Sequence, residues 1–305
     1  MNYTGEKKLR GNLLLLKVKS QLDKWIEENH YTKELISVSP AFDQINEHLI
    51  LSGEVLLKKQ KNEIEKLLSE NYKVVNNLKV ISSPDYKNIR GWGKTIETLD
   101  VRKDKTSKKI STQITEDDNA FKILYADENE SLIQLEDSTL GWIYNDKIKF
   151  LPPKNYWGKI TCARKNEVMD VPSLDPLFKS AMEYLMTPYL LGGKSINGVD
   201  CSGLMQIIFK KAFKLILPKH ALDQFKTGIR IPIKEIKPGD LIFARAKGKN
   251  IFHVGLIYKS KKNSPELFVI HAGLYDKKVV CVSLNEFYVK YIPAGARRIV
   301  ATGKN

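Results

Sequence analysis

Gly198-Val199-Asp200-Cys201-Ser202-Gly203-Leu204-Met205 puts a cysteine where a glycine-marked loop gives way to an apolar, helix-spaced run. Just upstream, Thr187-Pro188-Tyr189-Leu190-Leu191-Gly192-Gly193-Lys194-Ser195 carries two more glycines, a texture that lets backbone come close to a ligand. Downstream, Leu204, Ile207, Ile208 and Phe213 recur at helical spacing and predict a buried helix that starts at or near Cys201. The free N–H groups and the positive end of the dipole at such a helix start favour a thiolate. The position therefore predicts a nucleophilic sulfur.

A nucleophile of this kind needs a base. Pro238-Gly239-Asp240-Leu241-Ile242-Phe243 reads as a turn into a strand, Phe252 to Tyr258 as a second strand and Leu267 to Ala272 as a third. His253 and His271 each interrupt one of these apolar strands. One such histidine is ordinarily a packing residue. Two on successive strands, following a cysteine at a helix start, supply a nucleophile, a base and a group to orient the base.

In chain order, Pro188-Tyr189-Leu190-Leu191-Gly192-Gly193, Asp200-Cys201-Ser202-Gly203-Leu204, Leu217-Pro218 with Ala221 and Gln224, Pro238 to Phe243, His253 to Ile257 and Ile270-His271-Ala272-Gly273 together resemble the NlpC family of cell-wall cysteine peptidases. The resemblance implies an α+β fold with a papain-like catalytic domain over residues 153–305. It implies that Cys201 attacks a γ-D-glutamyl carbonyl, that His253 takes and returns the proton, and that His271 holds the His253 ring. Tyr189 matches the family tyrosine whose hydroxyl joins the Cys201 backbone N–H in an oxyanion hole. Asp200 and Ser202 match positions that receive a substrate ammonium; from the residues alone, Asp200 reads equally well as a helix N-cap. The implied substrate is a murein (peptidoglycan) peptide, cut between D-glutamate and the diamino acid, with a free N-terminal L-Ala. No metal or cofactor is implied. The alternatives are an amidase or acyltransferase on the same scaffold, or a wall-binding protein.

Residues 93–152 change to short β runs: Thr95 to Leu99, Phe121 to Leu124 and Leu132 to Leu135, with polar turns between them. These predict a small barrel. Leu99-Asp100-Val101-Arg102, Gln113 and Gly141-Trp142-Ile143 resemble a bacterial SH3-like domain. Two departures from the family pattern stand out. Leu191 replaces the aromatic before Gly192-Gly193, and Thr139-Leu140 stands before Gly141-Trp142 where the free-amine-specific subgroup carries a substrate-contacting tyrosine. Residues 1–92 predict a small α+β unit without chemistry. Leu15, Val18, Leu22, Trp25 and Ile26 share one helical face, His48 to Val55 forms a strand, Lys59 to Asn71 a second helix and Val74 to Ile81 another strand.

Composition sets the outer bounds. The 305 residues carry a formal charge of +15 in dispersed lysine pairs, which suits an anionic partner. No RNP-like, helix-turn-helix or finger pattern accompanies that charge, so no nucleic-acid partner is expected. Three cysteines are too few for a disulfide framework, and Cys162 and Cys281 read as buried packing thiols. Leu13 to Leu16 is too short for a leader and no run is long enough for a spanning helix, so the expected location is cytoplasmic, or exported if a leader precedes this sequence. The oligomeric state is left open.

Overall fold

The computed structural model describes residues 3–28, 37–43, 45–55, 58–80, 91–103, 105, 108–116, 118–152, 156–157, 161–245, 250–259 and 266–303. The N-terminal part runs α1 (Tyr3–Glu28), β1 (Ser37–Asp43), β2 (His48–Val55), α2 (Lys58–Ser69), β3 (Lys73–Asn76) and β4 (Lys79–Val80). Here β1 pairs antiparallel with β2, whereas β3 and β4 both pair parallel to β2. The parallel pairing explains α2, since a parallel neighbour needs a crossover long enough for a helix. Val18, Leu22, Trp25 and Ile26 of α1 are buried in one cluster with Leu49, Leu51, Ile64 and Leu68, as the spacing predicts. The strand β1 carries a proline and gave no alternation to find; Ile81 lies outside the described residues.

The middle part holds β5 (Gly91–Thr95), β6 (Leu99–Arg102), β7 (Ile110–Ile114), β8 (Phe121–Ala126), β9 (Glu130–Gln134), β10 (Leu140–Tyr144) and β11 (Ile148–Leu151). They form one sheet in the order β11-β5-β8-β9-β10-β6-β7 around Val101, Ile114, Phe121, Ile123, Ile133 and Ile143. Two expectations change here. Among the described residues β11 and β7 do not pair, so the sheet is open and no closed barrel is present. The run Thr95 to Leu99 is not one strand: Thr95 ends β5, Leu99 starts β6, and a bend lies between them, where Thr95 Oγ1 donates to the Glu97 carbonyl and Ile96 is exposed.

The C-terminal part contains β12 (Thr161–Cys162), β13 (Met169–Val171), α3 (Asp175–Met182), β14 (Lys194–Ser195), β15 (Gly198–Val199), α4 (Cys201–Phe213), β16 (Leu215–Ile216), α5 (Ala221–Gln224), β17 (Ile229–Ile231), β18 (Leu241–Arg245), β19 (Ile251–Tyr258), β20 (Phe268–Gly273), β21 (Lys278–Ser283), α6 (Leu284–Lys290), β22 (Ile292–Arg298) and β23 (Val300–Thr302). Its main sheet is antiparallel, ordered β17-β22-β18-β19-β20-β21. Alternation assigns its faces. Val254, Leu256, Ile270 and Ala272 pack in the cluster that holds α4, whereas Ile257 and Val269 pack with Phe287 and Tyr291 at α6. The whole is a mixed α/β molecule whose buried helix α4 lies on this sheet.

Candidate active site

Asp200 ends the loop and starts α4. Its backbone is extended, its Oδ1 accepts from the Gly203 N–H at 2.7 Å and from the Ser202 hydroxyl at 3.0 Å, and its Oδ2 accepts from the Gly192 N–H at 2.8 Å. Asp200 is thus an N-cap that also pins the glycine loop, which leaves Cys201 as the first residue of the helix. Gln224, fully buried, donates to the carbonyls of Ser202 and Pro218 at 3.0 and 2.9 Å and ties the next loop to the same helix start.

The sulfur of Cys201 lies against the beginning of β19. Its thiol donates to the Phe252 carbonyl at 3.8 Å, and among the described residues no hydrogen bond joins it to an imidazole. Burial, then the negative charge of Asp200, push the thiol up to about 12, against the pull of the Val254, Ser202 and Cys201 backbone N–H groups. The helix start that favours a thiolate is present, but desolvation outweighs it. The resting group is a neutral thiol.

His253 and His271 do meet. His253 Nε2 and His271 Nδ1 are 3.0 Å apart with both residues buried, and the rings stand edge to face. Gly255 makes room for this: a Cβ there would stand 3.2 Å from the His271 Cβ and 2.5 Å from Val269 Cγ1. Burial holds His253 well below the ordinary histidine range, with His271 adding to the effect. Burial likewise brings His271 down to about 4, partly opposed by Asp276. Both are neutral near pH 7. Because His253 Nε2 is engaged with His271, Nδ1 is the nitrogen left to take a proton from the thiol.

Tyr291, which sequence reasoning missed, stacks on His253 with ring centroids 4.3 Å apart and planes within 8°. Phe287 backs the same ring at 5.9 Å. No short motif marks either residue; only the fold of α6 onto the sheet brings them here. Tyr189 is held beside the sulfur by its N–H to the Lys277 carbonyl and by a bridge to Val199. Burial first, and then the Cys201 and Asp200 side chains beside it, push its phenol up, so it stays a protonated donor.

Tyr189, Asp200, Cys201, Ser202, His220, Asp223 and Phe252 open onto one cleft of about 350 Å³. No described residue of the β5–β11 sheet lines it, and Thr139 and Leu140 are buried within that sheet. A larger cavity, about 680 Å³, lies between that sheet and the far side of α4 and holds none of the six sequence-predicted site residues. Cys162 is exposed and Cys281 half-buried, so neither is the core thiol expected. No cluster of metal-ligating side chains occurs among the described residues. No described helix is long and apolar enough to cross a membrane.

The arrangement can carry acyl transfer: a sulfur on a cleft, a neutral imidazole with one free nitrogen, a second imidazole behind it, and N–H and phenol donors beside the sulfur. The sequence profile of the NlpC/P60 family matches residues 186–298. A probable endopeptidase of Haemophilus influenzae is 43% identical over 81 residues, 26% of this chain and 50% of the relative. The gamma-D-glutamyl-L-lysine dipeptidyl-peptidase of Bacillus subtilis is 30% identical over 220 residues, 67% of this chain and 72% of the relative. The probable endopeptidase NlpC of Escherichia coli is 38% identical over 114 residues, 37% and 70% of the two chains. The chain thus spans half the length of the first of these relatives and more than two thirds of the other two.

Proposed function

Because the chain belongs to the NlpC/P60 family, we propose that it is a cysteine endopeptidase hydrolysing the γ-D-glutamyl–diamino acid bond of peptidoglycan peptides. The observation that carries this reading is the buried 3.0 Å contact between His253 Nε2 and His271 Nδ1, which leaves one imidazole nitrogen for the Cys201 thiol. The proton leaves sulfur for His253 Nδ1 as sulfur bonds to the γ-carbonyl carbon. That step swings the S–H away from the Phe252 carbonyl, a rearrangement ordinary for a site without its substrate. The carbonyl oxygen, now an oxyanion, accepts from the Cys201 backbone N–H and the Tyr189 hydroxyl; one such donor supplies about 3 kcal/mol. Collapse breaks the C–N bond, His253 protonates the departing amine, and a thioester remains. Water, deprotonated by the same nitrogen, then releases the glutamyl carboxylate and restores the thiol.

Asp200 and Ser202 stand at the cleft wall where an N-terminal ammonium can be paired. Three donors already occupy the Asp200 carboxylate, so the ammonium gains its charge and one remaining lone-pair direction. The SH3-like character of residues 93–152 and the papain-like character of residues 153–305 belong to the same proposal, as does the division into three units at those boundaries.

Incubation with L-Ala-γ-D-Glu-diaminopimelate and with its N-acetylated form tests the reading. Release of L-Ala-D-Glu from the free amine alone, lost in Cys201→Ala, is the expected result. Cleavage of neither peptide while Cys201 still takes a thiol label would replace it with an amidase or acyltransferase. Unchanged cell-wall effects in Cys201→Ala would leave a wall-binding protein.

A further inference from the structure

Behind the histidine pair, two buried polar atoms lack hydrogen-bond partners among the described residues: His271 Nε2 and Asp276 Oδ2. A buried polar atom left unpaired is costly, so two in one region call for a common explanation. The His271 and Tyr291 rings are 5.5 Å apart, and the Asp276 charge acts on both side chains. Lys290, on α6, grips the other Asp276 oxygen at 2.5 Å, so the carboxylate is anchored by one arm and has the other free. Gly273 admits it: a Cβ at that position would lie 2.4 Å from Asp276 Oδ2. A carboxylate only accepts, and a neutral imidazole that accepts at Nδ1 must donate at Nε2.

We propose that Asp276 is a positioning residue of this site, its carboxylate holding His271 as the Nε2–H tautomer so that His271 Nδ1 accepts from His253 Nε2. The inference rests on the assignment of His253 as the proton acceptor of Cys201. It extends the relay to Cys201, His253, His271 and Asp276, with Lys290 as the anchor; a turn of the Asp276 side chain or an enclosed water would join carboxylate to imidazole. The tautomer matters because the other form of His271 would donate at Nδ1. That would force His253 to accept at Nε2 and carry its own hydrogen at Nδ1, where the thiol proton must go. Asp276 also places a negative charge behind the imidazolium that forms in the reaction.

The titratable groups around His271 are His253 on β19, Asp276 in the turn after β20, Lys290 at the end of α6 and Tyr291 just beyond it. Asp276 favours the charged imidazole and Lys290 opposes it. The test is the pH dependence of iodoacetamide alkylation at Cys201 in the full chain, followed site by site by mass spectrometry. Asp276→Asn is expected to slow alkylation about ten-fold, far short of the ~10⁴ lost when a directly bonded triad carboxylate is changed, and to move the acid limb of the profile to lower pH. Lys290→Gln moves that limb to higher pH. Gly273→Ala, which changes no charge but displaces the carboxylate, reproduces the slower rate. A native rate and profile in Asp276→Asn would overturn the proposal; so would a native profile in both Lys290→Gln and Gly273→Ala if Asp276→Asn does not fold. If wild type alkylates with a histidine-linked profile but cleaves no γ-D-glutamyl peptide, the substrate assignment fails while these variants still decide the role of Asp276. A wild-type profile that His253→Ala does not alter overturns the relay and Asp276 together.

Discussion

At the scale of single residues, the site depends on rings and carboxylates that no motif announces. Tyr291 stacks flat on His253, so its contribution to the base is the ring face. Tyr291→Phe should therefore keep most of the activity, whereas Tyr291→Leu should lower kcat about ten-fold with KM little changed, since it frees the imidazole without touching the cleft. Comparing kcat and KM for the two variants on the same peptide checks this; equal losses would show that the stack is not what matters. Asp240 is a different case. It lies in the Pro-Gly-Asp stretch of the family pattern, but its two oxygens accept from Arg298 Nε and Nη2 at 2.7 and 2.8 Å, and it is buried and does not line the cleft. Asp240→Ala leaves the guanidinium partly buried and unpaired, at a cost of about 3 kcal/mol read as a lower midpoint in urea unfolding. The activity per folded molecule should stay native.

At the scale of elements, α4 shows what its ends do. Asp200 caps the start, while the end turns through Lys214 in the left-handed conformation, φ +55°. A residue with a Cβ is strained there, so Lys214→Gly should stabilise the protein by about 0.5–1 kcal/mol, seen as a Tm rise of a few degrees. An unchanged or lower Tm would mean that the Lys214 side chain contributes more than its backbone costs. The same helix shows how much was legible beforehand. The apolar spacing after Cys201 marked α4, and the unbroken apolar runs around His253 and His271 marked β19 and β20, because both signals extend over enough residues to beat local noise. The bend at Ile96 imitated a strand because alternation over five residues also suits a solvent-exposed turn. The neutral thiol was invisible because burial is a property of the packed molecule, not of the helix start. Tyr291 and Asp276 were invisible for a related reason: they reach the histidines from the turn after β20 and from beyond α6, and no sequence spacing encodes that return.

At the scale of the whole molecule, the β5–β11 sheet is bolted to the far side of α4 by a compact set of charges. Lys210 bridges Asp118 at 2.8 Å and Glu136 at 2.7 Å, Gln206 Nε2 donates to Asp137 Oδ2 at 2.7 Å, and the Lys194 N–H donates to Gln113 Oε1 at 3.0 Å. Burial would raise the Asp118 carboxyl, but Lys194 and Lys210 bring it down to about 2. A carboxyl depressed on folding stabilises fully above its unfolded value and loses that contribution as pH falls through the folded one. For Asp118 the window runs from about pH 4 to about pH 2, and the contribution is on the order of 2 kcal/mol. His271 obeys the same sign: its value in the folded chain, about 4, is below the free imidazole, so its stabilisation is lost from about pH 6.5 down through pH 4. Acid should thus weaken the protein in two stages, first at the histidine sheet and then at the latch on α4. Lys210→Met removes one of the cations that hold Asp118 ionised, so it should flatten the lower stage and leave the upper one intact. His271→Gln should shrink the upper stage, with buried His253 keeping its own share, and leave the lower one intact. Urea midpoints for the three proteins, measured at half-unit steps from pH 7 to pH 2.5, separate the stages. If Lys210→Met kept the wild-type slope below pH 4, the ion pairs on α4 would not be what joins the sheet to the catalytic helix.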